Sequence, residues 1–337
     1  MKNGWTAAGD EPTIASLGEE TAITAFVARL PESDGRLLGP GDDAAVLATP
    51  DRRVVVTSDS LIEGPDFRAE WSSPYDLGWK LAAVNLADVA AMGARPVSLV
   101  VALAVPRATP ISALERLADG LADACDRLAP GCGVEGGDLA ESSQVVAVAT
   151  ALGSLDGLDP VRRSGASAGD IVALSLAPGQ SLGDAARGLM ALRAWPAEEL
   201  PTEGFPSGTF IDAQLRPVPP VADGVAAALA GATAMIDLSD GLARDAGRVG
   251  RASRVTLDLD TTALLELGSG PAGEPIGGVD ELLAAGEDHA LLATFPFDAT
   301  LPGGFRLVGT VRDWGLAPLL VDGEPVARLG GWDPFRA

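Results

Sequence analysis

The segment LGWKLAAVNLADVAAMGA, residues 77 to 94, decides the fold of this chain because it is almost entirely apolar. Its periodicity predicts a helix over residues 74–92, and Gly93 stands where a helix stop signal is expected. A helix that is apolar on nearly every side is packed on nearly every side. We therefore expect this helix to be packed on most of its sides, with Asn85 and Asp88 on one face that they share with Lys80.

Around this segment, helical and strand-like patterns alternate along the chain. Before residue 154 the patterns predict helices at 19–29 and 112–128, strands at 44–47, 54–56, 98–105 and 144–152, and a glycine-rich loop at 131–137. Residues 154–170 are rich in turn formers and predict a boundary between an N-terminal domain, 1–155, and a C-terminal domain, 156–337. Beyond it we expect strands at 171–175 and 255–259, helices at 183–192 and 221–229, and a hairpin near 321–324. The alternation is typical of an α/β (α+β) fold.

The composition excludes several classes of function. The chain has 337 residues, with 47 Asp and Glu against 24 Lys and Arg, and a formal net charge of −23. Such a surface repels nucleic-acid phosphates and anionic lipids, so we expect no nucleic-acid partner and no membrane partner. Lys2 and Lys80 are the two lysines, and neither follows a glycine. A Walker-type phosphate loop, which needs a Gly-Lys pair, is therefore excluded.

The cysteines and apolar runs indicate a cytoplasmic protein. Cys125 and Cys132 are the only cysteines and His289 is the only histidine, which argues against a zinc site and against a disulfide framework. The N-terminal residues lack the pattern of a signal peptide, and the strongest apolar run, 96–106, is about half the length of a membrane span. We expect reduced thiols and a cytoplasmic location.

Several carboxylates stand beside glycines or hydroxyl residues at the ends of apolar runs. They are Asp42 and Asp43 in GPGDDAAVL (39–47), Asp59 after Thr57 and Ser58, Asp88 in the apolar helix, Asp138 after two glycines, and Asp237 and Asp240 on either side of Ser239. The trio 57–59 is predicted at the carboxyl end of a strand, where α/β sheets open their ligand crevices. The two glycines before Asp138 could form an anion nest.

Taken singly, each of these aspartates could cap a helix or close an Asx turn. Taken together, with so few lysines to pair with, they have the oxygen-only chemistry that hard divalent cations prefer. The sequence therefore predicts a Mg²⁺ site, and the magnesium would in turn hold phosphate.

Seven motifs, in their order and spacing, resemble those of thiamine-monophosphate kinases. They are GDDAAV (41–46), TSDSLIEG (57–64), AVNLADVAAMGARP (83–96), GGD (136–138), RRSGA (162–166), MIDLSDGL (235–242) and GEDHAL (286–291). Any one motif is weak, but together they form a specific signature over nearly the whole chain. The superfamily, which resembles aminoimidazole ribonucleotide synthetase, also contains selenophosphate synthetases and a hydrogenase-maturation protein. Those two need a reactive N-terminal cysteine or selenocysteine and a C-terminal cysteine, respectively, and the sequence shows neither.

The resemblance implies a two-domain aminoimidazole ribonucleotide synthetase-like fold. The N-terminal domain would close a barrel with its twin in a homodimer, and the C-terminal domain would be a mixed α/β unit. The resemblance also implies ATP-dependent phosphorylation of thiamine monophosphate to thiamine diphosphate, with ATP as co-substrate and several Mg²⁺ ions as cofactors.

The resemblance further implies roles for single residues. The magnesium ligands would be Asp43, Thr57, Ser58, Asp59, Asp88, Asp138, Asp237 and Asp240, and the ATP contacts would be Gly137, Asp138, Arg163 and Ser239. Glu287 would face the thiamine moiety, and Trp332 would stack on it. Because the acceptor is a phosphate that needs no base, we assign no catalytic acid or base and expect direct transfer without a phosphoenzyme.

Some positions depart from the family pattern. Asp66 stands where the family has a histidine near the acceptor phosphate, so an anion faces an anionic substrate unless Asp66 binds a further metal or Arg68 replaces the histidine. Smaller departures are Ala87 for serine, Leu139 and Ala140 for threonines, and His289 for tyrosine. Two alternatives stay open. One is another ATP-dependent enzyme of the superfamily with a different acceptor, and the other is a non-catalytic paralogue that binds nucleotide and Mg²⁺.

Overall fold

The structure, a computed structural model, describes residues 4–40, 44–49, 51–195, 210–269, 277–326 and 330–332. The helices are α1 (Ile14–Leu17), α2 (Glu19–Val27), α3 (Pro74–Ala91), α4 (Ile111–Leu128), α5 (Asp184–Ala194), α6 (Phe210–Leu215), α7 (Val221–Leu229), α8 (Leu242–Ser253), α9 (Thr261–Leu267) and α10 (Val279–Ala284). None of these helices is both long and apolar enough to cross a bilayer.

The strands build two main sheets and a small hairpin. They are β1 (Arg36–Leu38), β2 (Val46–Leu47), β3 (Val55–Ile62), β4 (Arg95–Val105), β5 (Gly133–Glu141), β6 (Val146–Ser154), β7 (Ile171–Ser175), β8 (Ala234–Asp237), β9 (Val255–Leu259), β10 (Leu291–Phe295), β11 (Phe305–Asp313), β12 (Leu319–Val321) and β13 (Glu324–Pro325). The first main sheet has the order β3-β6-β4-β5 and the second has the order β13-β12-β9-β11-β7-β10-β8. The mixed α/β class predicted from the sequence is confirmed.

The helix α3 lies at the centre of the molecule. All of its residues except Tyr75 and Asp88 are buried. It packs on β3, β4 and β6 of the first sheet, on β8 of the second sheet, and on α4, α6 and α7. The indole N–H of Trp79 donates to the carbonyl of Pro217 at 2.8 Å. The apolar surface of α3 therefore joins the two halves of the chain.

Capping fixes where α3 begins. The hydroxyl of Ser73 accepts from the backbone N–H of Asp76 at 3.2 Å, and Oδ2 of Asp76 accepts from the backbone N–H of Ser73 at 2.9 Å. Pro74 holds the first helical position, where its missing N–H costs nothing. Arg216 binds Oδ1 of Asp76 at 2.5 Å, so the capping box is also tied to the second half of the chain.

Two glycines allow α3 and α4 to cross in backbone contact. A Cβ added to Gly78 would lie 2.0 Å from the carbonyl oxygen of Leu117, and a Cβ added to Gly120 would lie 2.1 Å from that of Tyr75. No side chain fits at either position in a close-packed interior. The crossing therefore fixes the position of α3 relative to α4.

Four strands of the second sheet, β7, β8, β9 and β10, are buried on both faces. Every residue of β7 is buried, and its side chains alternate between two apolar clusters. Ile171 and Ala173 join the cluster around α3, while Val172 and Leu174 join a second cluster under α8 and α9. This sheet therefore separates two apolar cores, and α3 belongs to one of them.

The prediction that a strand ends before Thr57 is wrong. The strand β3 continues to Ile62 and pairs with β6 over its whole length, so residues 57–59 lie inside the ladder. Pairing with β6 satisfies the backbone N–H and C=O groups of this segment, and it does so independently of the side chains. Hydroxyl residues are also tolerated on a half-exposed strand. The side chains of Thr57 and Asp59 consequently share one face of the sheet, and the side chain of Ser58 lies on the other.

The loop predicted at 131–137 is wrong from Gly133 onward, and so is the anion nest before Asp138. The strand β5 begins at Gly133, and Gly137 and Asp138 pair with Val101 and Ala102 of β4 after a shift of register. A Cβ on Gly137 would lie 1.8 Å from the carbonyl oxygen of Val101. This glycine therefore serves a close backbone approach at an irregular strand and not a loop.

Replacing Gly78 by alanine is expected to lower the free energy of unfolding by about 1–3 kcal/mol, because the methyl group forces two helix backbones apart. Denaturant unfolding of the variant and the wild type measures the difference. Gly303→Ala is the matched control, since a Cβ there would meet nothing within 4 Å. A Gly78→Ala variant as stable as the control would contradict the backbone crossing.

Candidate active site

A cleft with a volume of 620 Å³ is lined by both halves of the chain. The first half contributes β3, the loop that follows it, and α3. The second half contributes α5, α6, and the segments after β8 and α10. The cleft combines acidic side chains with two indole rings, those of Trp71 and Trp332.

One pair of carboxylates lies where β3 meets α3. The hydroxyl of Thr57 donates to Oδ2 of Asp88 at 2.7 Å. The side-chain oxygen of Asn85 accepts from the backbone N–H of Asp59 at 3.1 Å, while its amide donates to the carbonyl of Leu81 at 2.9 Å. The strand and the helix are therefore locked together by polar contacts that bring Asp59 and Asp88 to one side.

A second pair of carboxylates lies at the end of β8. Asp237 is the last residue of that strand and is buried, with Oδ2 3.3 Å from Nδ1 of His289. Asp240 lies in the loop before α8, where Arg248 binds its Oδ2 at 2.5 Å. Asp240 lines the cleft together with Asp59.

Sequence reasoning missed Asp245, which organises the loop of Asp240. It is fully buried, and its Oδ2 accepts from the backbone N–H groups of residues 239, 240 and 241 at 3.1, 3.1 and 3.2 Å. Arg248 binds its Oδ1 at 2.5 Å. Burial, followed by the charge of Asp237, raises the pKa of Asp245 to about 6. The available signal was an acidic residue in the first turn of a helix that starts after a glycine.

The carboxylates at the cleft influence one another's pKa. Burial, followed by the charge of Asp237, raises the pKa of Asp88 to about 7, and the same two causes raise the pKa of Asp59. Burial is the largest single influence on His289 and opposes its charged form, but the hydrogen bond to Asp237 and the charges of Asp237 and Glu287 together outweigh burial and raise the pKa of the imidazole. The pairs at β3 and β8 thus lie close enough to repel each other, and a bound cation would relieve that repulsion.

The donor set fits Mg²⁺ bound together with a phosphate ligand. Among the described residues, no three acidic, histidine or cysteine side chains converge closely enough to hold a metal ion by themselves. Magnesium is usually held by one or two carboxylates, with waters and substrate phosphates completing its octahedron. Facing pairs of carboxylates with hydroxyls beside them suit that arrangement better than they suit a bare ion.

Glu287 lines the cleft, and both of its carboxylate oxygens are engaged. Lys80 donates to Oε1 at 2.7 Å, and the side-chain amide of Gln214 donates to Oε2 at 2.8 Å. Burial would raise the pKa of Glu287, but Lys80 and the two hydrogen bonds outweigh it and hold the pKa below its usual range. Glu287 also has a φ of 66°, a conformation that costs energy outside glycine and is often found at functional sites.

Trp332 is attached to the acidic loop through its backbone. Its N–H donates to the carbonyl of Asp240 at 2.9 Å, and Nε of Arg244 donates to the carbonyl of Gly330 at 2.7 Å. The indole is 41% exposed and forms part of the wall of the cleft. It can therefore offer a flat face to a planar ligand.

Asp66, at the position of the family histidine, closes a turn at the end of β3. Its Oδ2 accepts from the backbone N–H of Ile62 at 2.9 Å, and its own backbone N–H donates to the carbonyl of Ile62 at 3.1 Å. The carboxylate lies at the wall of the cleft with one oxygen already used by the backbone. A local structural role thus accounts for an acidic residue at this position.

Other residues singled out from the sequence lie away from the cleft. The hydroxyl of Ser58 donates to the carbonyl of Ala149 at 3.0 Å. Gly137 and Asp138 lie on β5, at the opposite edge of the first sheet from β3. Three strand spacings, about 14 Å, separate those edges.

Arg163 is exposed and does not line the cleft, and its carbonyl accepts from the hydroxyl of Ser253 at 2.8 Å. Ser239 does line the cleft. Asp43 lies outside the described residues.

The fold and the acidic cleft define the class of protein first. Residues 41–155 match the family model described as "AIR synthase related protein, N-terminal domain". That match covers the first sheet together with α3 and α4.

Full-length relatives then identify the family. A thiamine-monophosphate kinase of Mycobacterium tuberculosis (strain CDC 1551 / Oshkosh) is 39% identical, covering 97% of this chain and 95% of the relative. The crystal structure of thiamine-monophosphate kinase from Stenotrophomonas maltophilia K279a is 30% identical, with a TM-score of 0.74 over 92% of this chain and 98% of that one. AaThiL complexed with AMPPCP and TMP is 28% identical, with a TM-score of 0.71 over 86% and 90%. This chain belongs to the thiamine-monophosphate kinase family, and the resemblance seen in the sequence is confirmed.

Without a divalent cation, the protein is expected to lose stability as the pH rises from the ordinary aspartate value of 3.8 toward about 7. In this window the folded state keeps the proton on Asp88 that the unfolded state has lost. The folded state therefore binds more protons, and the free energy of unfolding falls as protons are removed. Thermal unfolding at several pH values, with and without Mg²⁺, measures the effect.

Asp88→Asn removes the titrating group, keeps an acceptor for Thr57, and should flatten this pH slope. Asp298→Asn, at an exposed position, is the control for the loss of one charge and should keep the slope of the wild type. Added Mg²⁺ should restore stability at the upper end of the window. The same slope in all three proteins would contradict the effect of Asp88.

Proposed function

We propose that this protein transfers a phosphoryl group from ATP to thiamine monophosphate and forms thiamine diphosphate. The observation that carries the proposal is the crowding of carboxylates from both halves at one cleft. Asp59 and Asp240 line the cleft, and Asp88 and Asp237 lie close enough for their charges to act on Asp59 and on each other. The 39% identical relative is a thiamine-monophosphate kinase, and AaThiL has been seen with AMPPCP and TMP. An acidic, cation-attracting cleft suits the joining of two anionic substrates.

The four facing carboxylates would hold Mg²⁺, with Thr57 as a further oxygen ligand. Bound Mg²⁺ supplies charge neutralisation at the phosphates and fixes the geometry of the transfer. Ser58, Asp43 and Asp138 are proposed as additional ligands on the strength of the sequence pattern. The acceptor phosphate is already a nucleophile, so no residue is needed as a base.

Other residues orient the proposed metal-binding carboxylates. Asn85 and Thr57 orient the carboxylates of α3 and β3 through the hydrogen bonds described above. Asp245 and Arg248 fix the loop that carries Ser239 and Asp240. A rigid arrangement of this kind reduces the cost of aligning the reacting groups.

The thiamine moiety is proposed to lie against Glu287 and Trp332. Thiamine carries a cationic ring and an aminopyrimidine, both planar. An ionised carboxylate and an exposed indole face in the same cleft complement such a group. ATP is proposed to contact Gly137, Asp138, Arg163 and Ser239.

We further propose a homodimer in which two copies of the first sheet close a barrel. The strands β3 and β5 form the two edges of that sheet, and Val56 and Val100 on it are 61% and 39% exposed. Unpaired edges and exposed apolar residues favour association with a second copy. The domain division at residues 155 and 156 would separate the first sheet, which ends at Ser154, from the second, which begins at Ile171. A cytoplasmic location is proposed with it.

The wild-type protein, with ATP, Mg²⁺ and thiamine monophosphate, is expected to release ADP and form thiamine diphosphate, as measured by chromatography of the products. Asp237→Asn should lower kcat by about a hundredfold or more, because one ligand of the Mg²⁺ that would neutralise the phosphates is lost. Asp298→Asn should behave like the wild type. Removal of Mg²⁺ by a chelator should abolish turnover, and its return should restore it.

Turnover of another phosphorylated acceptor in preference to thiamine monophosphate would replace the proposed substrate. Tight ATP binding by calorimetry without any turnover would instead favour a non-catalytic paralogue. Acid-labile radiolabelled protein phosphate, formed from ATP alone, would contradict direct transfer.

A further inference from the structure

Three side chains form a cationic surface inside the cleft, which we name the arginine wall: Arg68, Trp71 and Arg193. Arg68 and Trp71 belong to the loop after β3, and Arg193 lies in the last turn of α5. The guanidinium of Arg68 stacks on the indole of Trp71, 4.8 Å from its centroid. The wall therefore joins a loop of the first half of the chain to a helix of the second.

The platform under Arg68 is anchored by apolar packing. Trp71 packs against the small cluster of Leu192, Ile211 and Leu215, the first of which is the neighbour of Arg193 in α5. A stacked guanidinium keeps its N–H groups pointing outward in its own plane. The packing thus fixes one face of Arg68 and leaves its hydrogen-bonding edges for a ligand.

The arginines of the wall are available to an anion. Of the other basic side chains that line the cleft, Lys80 is bound to Glu287 and His289 to Asp237. Within the residues that the structure describes, neither Arg68 nor Arg193 forms an ion pair with a carboxylate. Among the described residues, both arginines thus lack a carboxylate partner in a chain whose net charge is −23, where acidic residues are in excess.

Asp66 does not neutralise the wall, although it lies two residues before Arg68. One of its oxygens is held by the backbone of Ile62 in the turn described above. Asp66 therefore stabilises the turn of the loop, and Arg68 remains available to contact a ligand.

We propose that Arg68 and Arg193 bind the phosphate monoester of the acceptor and so select phosphorylated over unphosphorylated acceptors. This inference rests on the proposed function. Planar guanidinium groups match phosphate oxygens with two parallel hydrogen bonds. The acceptor is favoured over the nucleotide because Gly137, Asp138 and Arg163, three of the four proposed ATP contacts, do not line this cleft.

Steady-state kinetics of Arg68→Gln and Arg193→Gln test the proposal. Each is expected to raise KM for thiamine monophosphate by about 10- to 100-fold, the scale of a lost charge-assisted hydrogen bond. The KM for ATP should stay near the wild-type value. Arg68→Lys should fall between the wild type and Arg68→Gln, because it keeps the charge and loses the fork.

Arg116→Gln is the matched control, because Arg116 also stacks on an aromatic ring, that of Tyr75 at 6.0 Å, but lies outside the cleft. It should leave both KM values unchanged. An unchanged KM for thiamine monophosphate in both wall variants, or a rise in KM for ATP alone, would overturn the proposal.

Calorimetry separates this inference from the proposed function. The wild type should bind thiamine monophosphate more tightly than thiamine, and Arg68→Gln should remove that preference while leaving thiamine binding unchanged. If the wild type showed this preference but no kinase activity, the proposed function would be contradicted and the inference about the arginines would not. If Arg68→Gln lost affinity for thiamine monophosphate and for thiamine equally, the cleft as a whole would be disrupted. That result would overturn the phosphate-selecting role.

Discussion

Repulsion between carboxylates crowded at one partly buried cleft is the constraint on which the rest of the site depends. Asp59 and Asp88 are placed by the contact of β3 with α3, and Asp237 by the end of β8, so the repulsion acts between elements of different halves. Such an arrangement is tolerable only on a scaffold that cannot relax. The buried helix α3, wedged between two sheets and crossed by α4 in backbone contact, provides that scaffold.

The architecture could largely be predicted from the sequence, because the strongest signal was also the central element. The apolar segment 77–94 predicts a helix packed on all sides, and α3 is that helix. The strand at 171–175 and the helix at 221–229 have the predicted bounds. The errors at residues 57–59 and 131–137 have a common cause. Polar and glycine residues predict an interruption of a strand, whereas pairing with a neighbouring strand overrides local preference when the backbone hydrogen bonds are satisfied.

The candidate site was predictable in its chemistry but not in its supporting contacts. Carboxylates at element ends can be recognised in a sequence, whereas the partners of Glu287 cannot. Lys80 and Gln214 lie 207 and 73 residues away from it in the chain, and no periodicity connects them. Asp245 carries only the weak signal of an acid in the first turn of a helix. The role of Asp138 and Gly137 stays a prediction, because β5 lies across the first sheet from the cleft in a single chain.

The bond between Lys80 and Glu287 joins a helix of one half to a loop of the other. If Glu287 faces the acceptor, its charge and position depend on a residue that itself never needs to touch that acceptor. A change of acceptor specificity would then show epistasis between these two positions. Replacing Glu287 alone would leave the buried ammonium group of Lys80 without its partner. Relatives with other acceptors are therefore expected to vary these two positions in concert, and a library aimed at new acceptors should randomise them as a pair.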